Sequence, residues 1–426
     1  MDEHGDDAAR GAGTITAARR WAILFCSLAA ALATTCVVSG TAYLIPELHA
    51  DAGLTLTQAA TLSTIPTIGL MVSILGWGIL LDRHGERRIL LISMSIAVVG
   101  AAGAALAAAA DASYLTIAAL LLIGGIGSGA ANGASGRLVV AWFPPDRRGT
   151  AMGIRQTAQP LGVGVCALTM PVLAAQVGVA TALGVPAVMT AVGLLAVLCG
   201  VREPARAPTL PDPGARPVSS PPNPYRANMF LVRVHAVSML LVIPQSMLWT
   251  FVPTWLITQH HWNPATAGGL ITLTQIAGAA GRVAAGRWSD RWGSRMRPIS
   301  AIASAAGLTM GALAVTDWCD SPIAVALMMV ASVIAVADNG LAFTAIAEVA
   351  GPRWSGRGLA VQNTGQFLTM SATTPLFGAV IAAAGFPLAF AVAALTPLVA
   401  LPLVPADAES ESHPQPEPEP EPQPRR

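Results

Sequence analysis

Two ionisable residues stand out for where they lie: Arg282 and Asp338 each fall inside a long apolar run. A charge in such surroundings is costly unless it meets water, an opposite charge or a bound ion. Arg282 is a permanent cation whose planar fork suits a carboxylate, so it is a candidate ligand for an organic anion. Asp338 can exchange a proton, which makes it a candidate for proton coupling; a fixed ion pair with Arg282 or Arg155 is the plainer alternative. Around them, polar and aromatic side chains interrupt other apolar runs: Thr35, Ser39, Tyr43, Asn132, Gln159, Gln245, Trp249, Asn339 and Gln366. Tyr43, Asn132, Gln159, Gln245, Trp249, Asn339 and Gln366 join Arg282 as candidate substrate contacts. Other chemistry is not encoded. There is no HExxH, nucleophile elbow or phosphate-binding loop, and the five cysteines show no CxxC and no pairing with histidine. No enzyme, metal or cofactor is expected.

The elements that hold these residues are membrane helices. Of the 426 residues 54% are hydrophobic and only 11% charged, with a mean hydropathy of +0.59. An average soluble domain carries roughly a quarter charged residues, so a water-facing shell cannot be built from this chain. All 24 basic residues are arginine, and a net charge of +1 gives no reason to expect nucleic acid. Twelve stretches are long and apolar enough to span a bilayer: 21–45, 59–81, 89–110, 114–142, 152–175 and 180–201, then 230–257, 265–285, 298–315, 322–350, 358–384 and 387–403. Residues 1–20 form a leader, 21–201 a first six-helix half, 202–228 a Pro/Ser/Arg-rich linker, 229–405 a second half, and 406–426 a Pro/Glu-rich tail expected to be disordered. Apart from Arg137, Arg155, Arg233 and Arg282, every arginine falls in the leader, the tail or alternate loops on the same side. That asymmetry predicts a plasma-membrane protein with both termini and the linker in the cytoplasm.

The chain also repeats itself. Offset by 207 or 208 residues, Pro46 falls on Pro253, Asn132-Gly133 on Asn339-Gly340, and the five residues from Arg155 on the five from Gln362. The clearest match is Gly78-x-x-x-Asp82-Arg83-x-Gly85-x-Arg87-Arg88 against Gly286-x-x-x-Asp290-Arg291-x-Gly293-x-Arg295. With these segments the chain resembles the major facilitator superfamily, whose signature residues 78–88 match at each defining position. The resemblance runs from about residue 21 to residue 403. It implies an all-α membrane protein of two pseudo-symmetric six-helix halves, working by alternating access with helices 1, 4, 7 and 10 around a central cavity.

Physically, Gly78 and Gly286 would let their helices approach a neighbour from the other half. Asp82 and Asp290 would accept from a facing helix N-terminus or an arginine, Arg137 being the expected partner of Asp82. Gly85 and Gly293 suit tight turns, while Arg83, Arg87, Arg88, Arg291 and Arg295 would hold the loops on an anionic leaflet. Together these would latch one side of the transporter. Arg233, His235 and Glu348 lie near helix ends, where a structural or gating salt bridge is expected of each. The spacing Arg282-x-x-x-Gly286 resembles the helix-8 arginine of monocarboxylate and oxalate/formate carriers, although Gly278 replaces the aspartate of the monocarboxylate pattern. The reading is a monomeric secondary transporter in a lipid bilayer, moving a small organic anion with a proton. Its rival is a proton-driven exporter of drugs or metabolites. Leu121 and Gln159-Pro160 depart from the arginine and Gly-Pro that such exporters usually carry.

Overall fold

The structure, a computed structural model, describes residues 15–50, 54–203, 223–227 and 229–407. Most of the leader, most of the linker and nearly all of the tail lie outside the described residues. Twelve long helices follow one another. They are α1 (Ala17–Gly40, prolonged by short turns to Ala50), α2 (Leu56–His84), α3 (Glu86–Ala109), α4 (Tyr114–Ser128 and Ala131–Trp142), α5 (Pro145–Arg155 and Ala158–Val177) and α6 (Val179–Gly200). After a one-turn linker helix, Pro224–Ala227, come α7 (Phe230–Thr258), α8 (Pro264–Trp292), α9 (Met296–Trp318) and α10 (Ile323–Ile334 and Asn339–Ala350). The last helical stretch, Ser355–Ala400, breaks at Gly385, whose φ of 82° divides it into α11 and α12. A residue with a side chain would be strained there.

Several helices outrun their apolar stretches on the arginine-rich side. α2 reaches His84 and not residue 81, α5 starts at Pro145 and not 152, and α8 continues to Trp292 and not 285. Hydropathy marks only the part of a helix that lipid covers. As a result Asp82, Arg83, Asp290 and Arg291 lie in last helical turns, and only Gly85 (φ 88°) and Gly293 (φ 60°) make the turn itself.

Three helices are interrupted near mid-membrane: α4 at residues 129–130, α5 at 156–157 and α10 at 335–338. Each break frees backbone carbonyls, which apolar surroundings cannot satisfy. Side chains from neighbouring helices supply the donors. Trp77 Nε1 and Ser73 Oγ on α2 donate to the Ile126 carbonyl, at 2.7 and 3.1 Å. Arg282 on α8 donates to the Gln156 and Val336 carbonyls, at 2.7 and 3.3 Å.

Packing is uneven across the membrane. On the arginine-rich side one buried cluster mixes both halves, bringing Val139, Phe143 and Met152 against Phe230, Val234, Ala285 and Ile346. On the opposite side the clusters separate, one around Cys36, Leu62 and Leu183, the other around Met247, Trp255 and Phe390. The halves are therefore joined on the arginine-rich side and distinct on the other. Each half also fastens its own ends. The Glu203 carboxylate, just past α6, accepts from the backbone N–H groups of Glu86 and Arg87 at the start of α3, at 3.1 and 3.2 Å. In the second half Asp407, just past α12, accepts from Ser294 at 2.7 Å, and Ser294 Oγ in turn accepts from the backbone N–H of Arg297 in the first turn of α9.

Candidate functional site

Between the halves lies a cavity of about 130 Å³, walled by α1, α2, α4, α5, α7, α8, α10 and α11. Of the candidate contacts, Arg282, Asn132, Gln159, Gln245, Asn339 and Gln366 line it, together with Thr35 and Ser39. Tyr43 and Trp249 do not. Tyr43 falls in the short turn that ends α1 and packs among Leu44, Leu48 and Cys166; Trp249 is half-buried one turn beyond Gln245. Asp338 is also off this wall: buried at 2% exposure, it lines a separate small void with Val234, Ser238, Met296 and Ala342. α10 restarts at Asn339, so the two adjacent side chains face different ways.

The cavity wall holds two cations, Arg155 and Arg282, and no carboxylate among the described residues. Arg155 lies ten residues along a helix from Pro145, about 15 Å in, a depth comparable to that of Arg282. That depth was the signal available in the sequence for a second cavity cation. Its donors are spent on the protein. Nε reaches Ser135 Oγ at 2.8 Å, Nη1 the Gln156 amide oxygen at 3.1 Å, and Nη2 the Asn132 carbonyl and side-chain oxygens. Its guanidinium also lies 5.4 Å from the Phe343 ring of the other half. Arg282 is engaged differently. Nε and Nη1 bond the two freed carbonyls, while Nη2 has no hydrogen-bond partner among the described residues and faces the cavity. Neither arginine makes an ion pair among the described residues, so Arg155 is fixed by hydrogen bonds and Arg282 keeps a donor edge open.

Polar contacts between the halves close the arginine-rich end of the cavity. Asn132 donates to Asn363 Oδ1 at 2.6 Å, beside the Arg282–Gln156 bond. Farther toward that side, the signature carboxylates cross from one half to the other. Asp82 accepts from the backbone N–H groups of Gly356 and Arg357 at the start of α11, at 2.8 and 3.1 Å. It also pairs with Arg137, which Glu86 holds from its other edge at 2.6 Å, and with Arg357. Asp290 accepts from the N–H groups of Gly149 and Thr150 on α5, at 2.8 and 2.7 Å, from the Thr150 hydroxyl, and from Arg295. Gly78 and Gly286 cross the same helices at backbone contact. A methyl on Gly78 would stand 2.7 Å from the Gly356 carbonyl oxygen, and one on Gly286 would clash with that of Gly149.

Of the remaining signature arginines, Arg87 donates to the Leu198 carbonyl, while Arg83, Arg88 and Arg291 are exposed. Glu348 joins Arg148 of the first half and Arg295 of the second. Arg295 lies outside the spanning segments; burial works against its charge, but the Glu348 and Asp290 carboxylates hold it above the ordinary arginine range. Arg233 bonds the Leu403 and Val404 carbonyls, and His235 belongs to a chain of neutral polar groups.

Twelve helices in two sets of six, with a polar cavity between them, define a membrane transporter and not an enzyme. The chain belongs to the Major Facilitator Superfamily, whose profile matches residues 23–374 and again 234–426. It is 46% identical over 386 residues to the uncharacterized MFS-type transporter Rv2994 of Mycobacterium tuberculosis, covering 91% of this chain and 85% of that protein. Among solved structures it is similar to the fucose:proton symporter FucP of E. coli, with a TM-score of 0.70, 15% identity, and 89% of this chain and 97% of that one covered. It is also similar to the human organic anion transporter MFSD10, with a TM-score of 0.67, 19% identity, and 92% and 100% covered. At these identities the structures speak for the fold.

Proposed function

We propose that this transporter carries a small organic anion together with a proton across the plasma membrane, with its arginine-rich side cytoplasmic. The observation that carries the reading is the open edge of Arg282 on a wall that holds two guanidiniums and no carboxylate among the described residues. A permanent cation in apolar surroundings needs a counter-charge, and a bound carboxylate would supply one at the edge left free among the described residues. Neutral amides from Asn132, Gln159, Gln245, Asn339 and Gln366 would then orient the rest of the solute. The cavity is close to the roughly 150 Å³ that admits benzene in an engineered site, so a solute of about six heavy atoms fits and a bulky drug does not.

Asp338 is the proposed coupling carboxylate, acting from behind the wall through its charge on Arg282 and not by touching the solute. The proton symport of FucP and of XylE, a proton:xylose symporter, and the organic anion transport of MFSD10 support the two parts of this reading by analogy. The joined arginine-rich side and the separate opposite side fit a state closed to the cytoplasm.

The test is a thermal-shift screen of the purified protein against small carboxylates, amino acids, sugars and cationic drugs. Small carboxylates are expected to stabilise it, with Arg282→Lys weakening and Arg282→Ala abolishing the shift. Stabilisation only by neutral or cationic compounds, unchanged in Arg282→Ala, would overturn the anion reading. For the coupling step, Asp338→Asn is expected to abolish accumulation against a gradient while keeping exchange of the same carboxylate. For orientation, reporter fusions after Leu48, Ala112 and Thr316 should read outside, and fusions after Gly85 and Gly293 inside.

A further inference from the structure

A second polar path leaves the cavity, and it ends at a histidine. Asn339 Nδ2 donates to Gln245 Oε1 at 2.9 Å, and both residues line the cavity. Gln366, also on the wall, donates from Nε2 to Asn339 Oδ1 at 3.1 Å and to Ser238 Oγ at 2.9 Å. Ser238 accepts a second bond from Gln362 Nε2. Gln362 Oε1 lies 2.7 Å from His235 Nδ1, and His235 Nε2 lies 3.0 Å from the hydroxyl of Tyr225 on the linker helix. The path thus runs unbroken from the cavity to the segment that joins the two halves.

The direction of its hydrogens follows from the partners. Gln362 gives its amide N–H to Ser238, so its oxygen is the acceptor facing the ring and His235 must carry its proton on Nδ1. In the neutral ring Nε2 is then the acceptor, and the Tyr225 O–H donates to it. Burial and the charge of Asp82 push the Tyr225 phenol up to about 12, so it keeps the proton it donates. The rings also stack, with centroids 5.9 Å apart and planes 13° from parallel. The neutral His235 ring is therefore held in one tautomer, at 7% exposure.

The ionisable groups around it are otherwise engaged. Asp82 on α2 caps α11. Arg233, on α7 itself, bonds the Leu403 and Val404 carbonyls, and Glu348 on α10 is paired with Arg148 and Arg295. Asp338 shares its small void with Ser238, the residue at which the path branches. α11 presents neutral Gln362.

We propose that His235 is a second proton-binding site of the transport cycle, closed off by Tyr225 and joined to the cavity through Gln362, Ser238 and Gln366. A proton taken at Nε2 makes both ring nitrogens donors, so the Tyr225 hydroxyl must turn its hydrogen away and present its oxygen. An imidazolium enclosed between α7, α11 and the linker helix is relieved by water, and water reaches it when the arginine-rich side opens. Acid therefore favours opening on that side. The chain of amides relays the change by reorienting Gln366 and Asn339 on the cavity wall, without itself passing protons.

The experiment needs no substrate. Spin labels at Arg147→Cys and Arg353→Cys, one on each half, are placed in full-length protein whose five native cysteines are replaced, reconstituted in nanodiscs. Double electron–electron resonance between pH 8 and pH 5.5 should show a longer-distance population growing in with a one-proton transition. His235→Gln should abolish that transition. Tyr225→Phe, which removes one ring partner without removing the titrating group, should displace its midpoint by roughly 0.4 pH unit or more. Distances that do not change with pH, a transition that survives His235→Gln, or one that Tyr225→Phe leaves in place would overturn the proposal. If His235→Gln fails to fold, the Tyr225→Phe midpoint alone decides. Transition loss in Asp338→Asn with no response to Tyr225→Phe assigns the proton to Asp338 instead. None of these readouts depends on the transported solute being an anion.

Discussion

Asp82 and Asp290 occupy the same place in the two halves, each receiving two backbone N–H groups from a helix of the opposite half. They differ in what neutralises them. Asp82 is met by Arg137 from within the membrane part of α4, and Arg137 is itself pinned by Glu86. Both acids beside Arg137 are within 4% side-chain exposure. Asp290 is met by Arg295 from its own turn, and Arg295 leans on Glu348, which is 22% exposed. The common element is the carboxylate at the start of a facing helix, where aligned N–H groups favour negative charge. The arginine is the variable element. One half buries its ion pair more deeply, at 5% and 2% exposure against 13% and 5%, so on the proposed latch reading the first joint is the stiffer and the second the easier to release.

Mutations can sharpen or break this contrast. The largest effect is expected from the crossings themselves. Gly286→Leu and Gly78→Leu should abolish the closed arrangement of the arginine-rich side, because the clash is with backbone and cannot be relieved by rotating a side chain. Spin-label distances between Arg147→Cys and Arg353→Cys read this directly, and closed-state distances in either variant would show that the glycines are incidental. Next come the carboxylates. Asp82→Asn should favour opening by about 3 kcal/mol and Asp290→Asn by about 2, since the first leaves a more deeply buried arginine with one carboxylate in place of two. Equal shifts, or a larger one for Asp290→Asn, would erase the proposed difference between the joints. The smallest effect is expected from Glu348→Gln, at below about 1 kcal/mol, because partly exposed pairs contribute little. High salt should diminish the Glu348 effect and leave the Asp82 effect nearly unchanged, which a salt titration of the same distances would check.

Much of the fold could be read from apolarity and repetition, because lipid imposes its length on each span and a duplicated segment imposes its partner. Helix ends were less legible. Residues 82–84 and 286–292 are polar and look like loop, yet they stay helical because the facing half receives them. The breaks in α4, α5 and α10 left little trace in the sequence, and with them went the facing of individual side chains. Asp338 and Asn339 are neighbours in the chain, and the restart of α10 between them sends one behind the wall and the other into the cavity. Tyr43 was out of reach for a similar reason: α1 tightens into a 3-10 turn at Thr41, which rotates the ring toward its own half. Arg282 was legible because an arginine so far from any water has few possible uses. Arg155, at a similar depth, shows how such a residue can instead be spent on bracing a broken helix.

The carboxylates of Glu203 and Asp407 give the two halves an independence that the rest of the architecture does not require. Each sits just past the last helix of its half and seizes the start of that half's third helix, by direct backbone bonds in one case and through Ser294 in the other. A six-helix bundle fastened in this way has its last helix tied to the start of its third. On the proposed alternating-access reading, the joint between halves can swing while each half keeps its shape, two paired jaws hinged at their contact surface.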